Sequence, residues 1–317
     1  AVAEAGTKMR LNAVRHRRHA TEVSRLLPEG QWVTLTLAKA AAVVEPIADV
    51  RPRAGIRYSA ADIRRARENA RRFDWAKSAA GRTVKSAESY LAKPTDHWLS
   101  FMPPEGATFA YGFAGCPRCR SNWKRFGSGM CSFDRPGKVV CPKCKTVFPP
   151  ADPNSPWFDS GPGVEVEGHM YYFTGIWHAW VINQYKAMLA AFSQAYALTG
   201  DERYAERAAL IFDGMATLAP STVGPIDNMR PNQEKVGIFH YYTQQLTENL
   251  RSYLLYYDLL YHSSAMAKSS PTNPTGFGRE ADTTIRRNVE KNLFLDTWDV
   301  EMNTRNETRR MGEVFED

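Results

Sequence analysis

The clearest pattern in the chain is a stripe of large apolar residues that recurs every three or four positions after Gly175. The stripe has the spacing of one helix face and runs through Trp177, Trp180, Val181, Tyr185, Met188, Phe192 and Tyr196. Thr199-Gly200-Asp201 then supplies a C-terminal glycine and an N-capping aspartate. The pattern therefore predicts two antiparallel helices, Ile176–Leu198 and Asp201–Leu218, with a positive φ at Gly200.

Two further helices are predicted downstream. The third carries an apolar face made of Phe239, Tyr242, Leu246, Leu250, Tyr253, Tyr257 and Leu260. The fourth spans roughly Glu280 to Trp298, with Ile285, Val289 and Leu293 on one side, and a loop from Pro271 to Gly278 precedes it. Helical hairpins in series without a strand pattern among them predict an all-α fold, an incomplete (α/α) toroid. No repeat of fixed period is found, which argues against a simple helical solenoid.

The first part of the chain gives weaker signals. Arg10–Leu27 allows a basic helix, whereas Trp32–Leu37 alternates like a strand. Ser59 and Asp62 form a variant capping box that opens a helix predicted to reach about Ala80. The predicted organisation is a basic arm or small β-containing segment at 1–57, the first toroid helices at 58–105, a loop-rich insertion at 106–168 and helical hairpins at 169–317.

The formal net charge of +7 is unevenly distributed. Residues 1–93 contain 19 Lys and Arg against 9 Asp and Glu, whereas the remainder contains 22 against 25. The basic excess therefore says nothing about a groove farther along the chain. The Arg/His cluster before residue 20 is either a patch that binds phosphate or an anionic glycan, or a solvated arm or helix face. No run of about 18 apolar residues exists, so no membrane span is predicted.

Four of the five cysteines form two CxxC pairs, Cys116-Pro-Arg-Cys119 and Cys141-Pro-Lys-Cys144, with 21 residues between them. Each pair presents two thiolates from one tight turn, and two such turns complete a tetrahedron around Zn²⁺. Four protein ligands close the coordination sphere, so a structural rather than catalytic zinc is predicted. The alternative is disulfide bonding, which would strain a CxxC ring and leave one thiol over.

Cys131 and the surrounding basic residues leave two further alternatives. Cys131 could replace one ligand, but it lacks a neighbouring second ligand, so a buried free thiol is predicted. A zinc ribbon can also bind nucleic acid, and the basic residues in or beside this one are Lys124, Arg125, Arg135, Lys138, Lys143 and Lys145. Because the segment is embedded in a large chain rather than standing as a module, no nucleic-acid partner is expected.

Several segments between Ala107 and about Asn292 resemble the heparinase II/III-like polysaccharide lyases. They are FAYGFAGCPRC (Phe109–Cys119), CSFDRPGKVVCPKCKTVFPPAD (Cys131–Asp152), YYFTGIWHAW (Tyr171–Trp180), AYALTGDERYAERAALIFDGMA (Ala195–Ala216) and YYDLLYHS (Tyr256–Ser263). The TGDxxYA turn alone is common, whereas its combination with the CxxC pairs in this order is more specific. The resemblance covers about 60% of the chain.

The resemblance implies an N-terminal (α/α) toroid, a following β-sandwich domain, and β-elimination of an anionic, uronate-containing polysaccharide or oligosaccharide. In such proteins the carboxylate is neutralised, a Tyr or His removes the C5 proton and a Tyr protonates the departing oxygen. It also implies a periplasmic or secreted location, although the chain lacks the start of a signal peptide. The sequence ends at Asp317 without a β-sandwich, so little turnover is expected from these residues alone.

Two groups of residues are candidates for contacting such a substrate. His240 and Tyr241 are the predicted acid/base pair, and Arg230 is the predicted carboxylate ligand. The alternative for this group is a capping cluster at a helix entry. His178, Tyr172 and Trp177 form the second group, a predicted sugar subsite.

The second group also has an alternative, in which the tryptophans belong to the core and His178 lies beside them on another face. Asn249 could bind a carboxylate or hydroxyl, but a solvated helix face explains it equally well. Two functions compete with the lyase reading: a non-catalytic glycan-binding module of the same fold, and a uronate epimerase that shares the proton abstraction.

Overall fold

A computed structural model describes residues 13–17, 20–26, 32–38, 57–112, 114–124, 127–224, 235–236, 243–274 and 283–295. The chain divides into two compact units, Ala1–Arg53 and Ala54–Asp317. Each unit is described by itself.

The first unit holds a three-stranded antiparallel sheet. Its strands are β1 (Ala13–Arg17), β2 (Ala20–Leu26) and β3 (Trp32–Ala38), in the order β1-β2-β3. The predicted strand at Trp32–Leu37 is confirmed. The basic helix allowed at Arg10–Leu27 is wrong, because the same segment forms the β1–β2 hairpin, in which Ala13 pairs with Ser24 and Arg17 with Ala20. β-Branched residues within these strands favour the pleated conformation over the helix.

The second unit begins with three helices, α1 (Ala60–Arg72), α2 (Asp74–Leu91) and α3 (Thr95–Leu99). The predicted capping box is present: the Asp62 amide donates to Ser59 Oγ at 3.2 Å, and the Ser59 amide donates to the Asp62 carboxylate at 3.0 Å. The single helix predicted as far as Ala80 is wrong. Phe73 takes an extended conformation that ends α1, and α2 starts anew in a direction that buries Ala76 and Ala87.

The centre of the unit is the long helix α4 (Phe173–Thr199), followed by α5 (Glu202–Leu218). Gly200 joins them with φ 76°, and the Asp201 side chain caps α5 by accepting from the Arg203 amide. The predicted hairpin is thus confirmed. Helix α4 packs against α1, α2, α5 and α6 (Thr243–Leu260). Its largest fully buried side chains are Phe173, Ile176, Ile182, Tyr185, Met188, Leu189 and Phe192.

The later helices match their predicted apolar faces in part. On α6, Leu250, Tyr253, Tyr257 and Leu260 are buried as expected, while the predicted start at Phe239 lies outside the described residues. Ile285, Val289 and Leu293 are also buried. The predicted fourth helix consists, where it is described, of α7 (Ile285–Asn288) and a π-helical turn (Val289–Leu295) rather than one α-helix.

A buried polar cluster fastens the segment after α6 to α5. The Asp213 carboxylate is fully buried and accepts hydrogen bonds from Ser270 Oγ at 2.7 Å, Thr272 Oγ1 at 2.6 Å and Asn288 Nδ2 at 2.8 Å. A carboxylate can be buried when several donors satisfy it. Asp213 therefore fixes the position of α7 relative to α5.

The described residues also contain short two-stranded pieces. They are β4 (Val139–Val140) with β5 (Val147–Phe148), β6 (Val164–Val166) with β7 (His169–Tyr171), and β8 (Val223–Gly224) with β9 (Lys235–Val236). The expectation of no strands among the helical hairpins is wrong at β8 and β9. The unit is nevertheless mostly helical, as predicted. No helix in the described ranges is long and apolar enough to cross a bilayer.

The α4–α5 turn gives a direct test of backbone strain. Gly200→Val places a Cβ on a residue with φ 76°, so we expect a loss of stability on the order of 1 kcal/mol or more. An added Cβ would meet nothing closer than the Arg67 guanidinium at 3.6 Å, so the cost should come from the backbone.

The matched control is Gly81→Ala, since Gly81 lies inside α2 with no atom within 4 Å of a new Cβ. We expect that variant to gain about 0.5–1 kcal/mol. Urea unfolding of both variants measures the difference. Equal stability of Gly200→Val and the parent chain would contradict the assigned strain.

Candidate metal centre

Two six-residue segments of the same pattern build the cysteine site, CPRCRS (116–121) and CPKCKT (141–146). In the first, the Cys116 amide donates to the Ser121 carbonyl at 2.9 Å and the Arg120 amide donates to the Cys116 carbonyl at 2.9 Å. The equivalent bonds in the second are Cys141 to Thr146 at 2.9 Å and Lys145 to Cys141 at 3.0 Å. The two turns therefore share one backbone fold.

The residue after each pair adopts a left-handed conformation. Arg120 has φ 57° and Lys145 has φ 60°, values that are uncommon for residues with a Cβ. The reversal brings the following hydroxyl beside the thiols. Cys119 Sγ lies 3.2 Å from Ser121 Oγ, and Cys144 Sγ lies 3.2 Å from Thr146 Oγ1.

The four sulfur atoms meet in a compact group. All four lie within 4.8 Å of one another, with 3.7 Å between Cys116 and Cys144 and 3.7 Å between Cys119 and Cys141. A tetrahedron with metal–sulfur bonds of about 2.3 Å has edges of about 3.8 Å. A disulfide needs sulfurs about 2 Å apart, and all four cysteines are free. The donor set thus fits a tetrahedral metal ion, as the CxxC spacing predicts.

The surroundings affect the thiols unequally. Burial raises the pKa of Cys116 to about 12. Burial also opposes ionisation of Cys141, but hydrogen bonds from Ser121 and from the Cys144 and Lys143 amides outweigh it and lower the pKa of Cys141 to about 5. The Ser121 hydroxyl lowers the pKa of Cys119 as well. Amides and hydroxyls aimed at the sulfurs are the donors that metal-bound thiolates require.

Basic side chains surround the group at matching positions of the two turns. Arg118, Arg120, Lys143 and Lys145 are all exposed, and Arg118 Nη1 donates to Thr146 Oγ1 at 2.9 Å. Four thiolates and a divalent cation would leave a net charge of about two negative units, which Arg118, Lys143 and Lys145 offset, while Arg120 is paired with Glu167. The centre's own charge is therefore a sufficient explanation for the basic residues.

The segment that carries the four cysteines packs directly on the first turns of α4. Ala110 donates its amide to the Gly175 carbonyl at 3.1 Å, and a Cβ at Gly175 would lie 3.1 Å from that of Ala110. The rings of Phe148 and Phe173 stack at 4.7 Å. Cys116, Cys141, Trp123, Phe148, Phe173 and Ile176 belong to one apolar cluster. The cysteine turns are thus part of the core that covers α4.

Asp159 makes a second connection that the sequence pattern did not reveal. This residue is 4% exposed and accepts from the Gly161, Gly163 and Thr174 amides at 2.8, 2.9 and 2.9 Å. The last bond satisfies an amide in the first turn of α4, whose N-cap residue, Tyr172, supplies no side-chain cap. The available signal was the Asp-Ser-Gly-Pro-Gly sequence, an aspartate before two glycines.

Cys131 stands apart from the four ligands. It is a free, half-buried thiol and does not belong to the four-sulfur group. Burial raises the pKa of Cys131 to about 12. The expected free thiol is confirmed, and a reactive role is disfavoured because its thiolate is suppressed.

The predicted sugar subsite lies inside the protein. Tyr172, Trp177 and His178 are 7%, 5% and 7% exposed. The ring of Trp177 contacts Phe133 and stacks on Trp180, and His178 Nδ1 lies 2.9 Å from the Thr108 carbonyl. Their burial favours the alternative given above, in which these side chains pack in the core, over a role in stacking on a sugar.

The other candidates are only partly described. Arg230, His240 and Tyr241 lie outside the described residues, so their roles stay predictions. Asn249 is 8% exposed rather than solvated, and its Oδ1 accepts from Lys186 Nζ at 2.5 Å. The structure therefore assigns a defined site only to the four cysteines among the described residues.

Comparisons with protein-family models, with characterised proteins and with solved structures gave no match.

The metal centre is tested by changing one ligand. Cys119→Ser should lower the bound metal from about one ion per chain and should speed amide hydrogen exchange in residues 106–168, because metal binding supplies folding free energy to a segment with only short strands. Exchange in α5 should change little, since its core is formed by other helices.

The matched control is Cys131→Ser, which removes a thiol from the same segment without touching the four-sulfur group. Metal analysis and hydrogen exchange of both variants measure the effect. Two disulfides and no metal in the purified protein would disprove the centre.

His178 predicts a pH dependence of stability. Burial lowers the pKa of His178, and the bond to the Thr108 carbonyl opposes this only in part. As the pH falls below about 6.5, His178 becomes protonated in the unfolded chain before it does in the folded chain. The free energy of unfolding therefore decreases with falling pH, until the lowered pKa of the folded chain is reached.

His178→Gln keeps a donor for Thr108 and removes the titration, so its stability should fall less than the parent's between about pH 7 and pH 5. The same change at the exposed His262 is the control. Urea unfolding across this range measures the slopes. Parallel slopes for His178→Gln and the parent would rule out the effect.

Proposed function

We propose that this chain is the metal-stapled helical part of a polysaccharide lyase, built on an incomplete (α/α) toroid, that cleaves uronate-containing anionic polysaccharides by β-elimination. The observation that carries the proposal is the ordered combination of the two CxxC pairs, the segment Tyr171–Trp180 and the Thr199-Gly200-Asp201 turn. These segments pack together around α4 in the second unit. Such packing supports reading them as one inherited framework rather than as separate chance matches.

The metal in this proposal is structural Zn²⁺. A Cys₄ donor set with edges of 3.7 Å suits the length of zinc–thiolate bonds. When bound, the ion would supply folding free energy and no chemistry, because four thiolates leave no position for water or substrate. The residues Cys116, Cys119, Cys141 and Cys144 would hold it.

The chemistry requires a base at C5, an acid at the departing oxygen and a donor that neutralises the carboxylate. His240 and Tyr241 are proposed for the first two tasks and Arg230 for the third. Arginine suits this third task because its planar fork matches a carboxylate in two parallel hydrogen bonds. Tyr172, Trp177 and His178 are buried and would contribute indirectly, by fixing the start of α4.

The function is tested by binding and by product formation. We expect residues 1–317 to bind alginate or heparan sulfate, and we expect His240→Ala and Arg230→Ala to weaken that binding by about tenfold through loss of charged hydrogen bonds. His262→Ala, a change at an exposed histidine, is the control. Isothermal titration calorimetry measures the affinities.

Product formation separates the lyase from its rivals. β-Elimination leaves an unsaturated uronate that absorbs in the ultraviolet, and we expect this signal from the protein made from its complete reading frame. Binding without product favours the non-catalytic glycan-binding module. Inverted C5 stereochemistry without cleavage favours the epimerase. Absence of both binding and product with every uronate polymer would contradict the proposal.

A further inference from the structure

Helix α2 presents two faces of different character. One face packs inward and buries Ala76 and Ala87, with Thr83 and Val84 half-buried beside them. The opposite face carries Trp75, Ser78 and Arg82, which are three and seven residues apart and therefore lie in one row. Trp75 thus stands on a side of α2 away from the buried Ala76 and Ala87.

The start of this row exposes an unusual amount of aromatic surface. Trp75 is 69% exposed and Phe73 is 43% exposed, and their rings are nearly parallel at 17° with centroids 6.3 Å apart. Phe73 is the extended residue that interrupts the helix between α1 and α2. Two adjacent rings with this much exposed surface indicate a contact surface.

Cations lie beside the aromatic pair. The Arg72 guanidinium is 5.5 Å from the centroid of the Phe73 ring, and Arg82 Nη1 donates to Ser78 Oγ at 2.9 Å. Arg71 and Lys77 are exposed, and neither forms an ion pair with another described residue. Only Arg72 has an acidic partner here, Glu68 at 3.1 Å. Asp74, which lies between the two rings in sequence, is also exposed. The four cations at 71, 72, 77 and 82 still outnumber the two carboxylates at 68 and 74, so the surroundings of the rings carry a positive excess.

We propose that Phe73, Trp75, Ser78 and Arg82, here called the α2 strip, bind an anionic polysaccharide outside any catalytic groove. The Trp75 ring stacks on the apolar face of a pyranose, and the Ser78–Arg82 pair binds a carboxylate farther along the polymer. Trp75 and Arg82 are about 10 Å apart along the helix, so more than one sugar unit is engaged. Naming a uronate polymer rests on the proposed function.

The arrangement favours a glycan over nucleic acid. Arginine and a serine hydroxyl can bind a carboxylate and a sugar hydroxyl together, and Arg82 is already oriented by Ser78. Sequence-independent binding of single-stranded nucleic acid combines aromatic platforms with a charged groove that follows the backbone. The α2 strip instead lies on the outward face of a helix and has a single aromatic pair at its start, so it suits a glycan better.

The test is a set of exposed substitutions that should leave the fold intact. Trp75→Ala should weaken binding of alginate or heparan sulfate by about tenfold, whereas Trp75→Tyr should retain most of the affinity because a ring remains. Arg82→Ala should lower the affinity and its salt dependence. Arg82→Lys should give a smaller loss, since charge is kept and the planar fork is removed.

Tyr58→Ala is the matched control, because Tyr58 is 45% exposed and lies beyond the other end of α1, about 20 Å along the helix. Calorimetry with alginate, heparan sulfate, neutral dextran and single-stranded DNA measures binding, and thermal unfolding checks the fold. Loss of uronate binding in Trp75→Ala but not in Tyr58→Ala supports the α2 strip.

Other outcomes would overturn the α2 strip, and they separate its failure from the failure of the proposed function. Unchanged uronate binding in Trp75→Ala overturns the α2 strip while leaving the proposed function standing. Loss confined to DNA binding assigns the surface to nucleic acid and overturns it as well. If the parent chain binds no uronate polymer, the α2 strip fails, and the ultraviolet assay on the complete protein decides the lyase independently.

Discussion

The arrangement of the second unit follows from one constraint, the need to cover nearly all of α4, of which only Ala187, Gln194 and Thr199 are exposed. A helix that is apolar all round is stable only when it is enclosed. Helices α2, α5 and α6 cover most of α4, and the cysteine-rich segment covers its first turns through Phe173 and Ile176. That segment is therefore part of the core, although its strands are only two or three residues long.

Enclosing the start of α4 with irregular chain creates a second requirement. A loop that covers apolar surface has few backbone hydrogen bonds of its own, so something else must fix it. Three features do so here: the four-thiol group, Asp159 at the first turn of α4, and the close backbone approach at Gly175. The cysteine pairs, with 21 residues between them, and the contact between Ala110 and Gly175 both join points far apart in sequence and so restrict the entropy of the unfolded chain.

The parts that could be predicted from sequence are those whose signal is local. The α4–α5 hairpin follows from a long apolar stripe and one glycine, and the capping box from two residues three positions apart. The break at Phe73 and the hairpin at 13–26 depend on packing or strand pairing that no local period reveals, whereas the strand after it was visible from its alternation. Ser121 and Thr146 were not predicted, although their signal is local, because the repeat CPxC[RK][ST] that contains them is visible in the chain.

The burial of the residues predicted to form the sugar subsite could not be seen in the sequence for the same physical reason. On an amphipathic helix a histidine between two tryptophans faces either the core or solvent, and the period separates the two. On α4 apolar residues occur on every side, so periodicity could not place His178, which is 7% exposed. Because the aromatic residues around α4 are used to enclose it, stacking on a sugar needs rings elsewhere. Among the described residues, the adjacent exposed rings of Phe73 and Trp75 lie at the junction of α1 and α2. Helix α1 has no buried residue and α2 buries only small ones, so this layer can carry recognition residues without cost to the core that α4 requires.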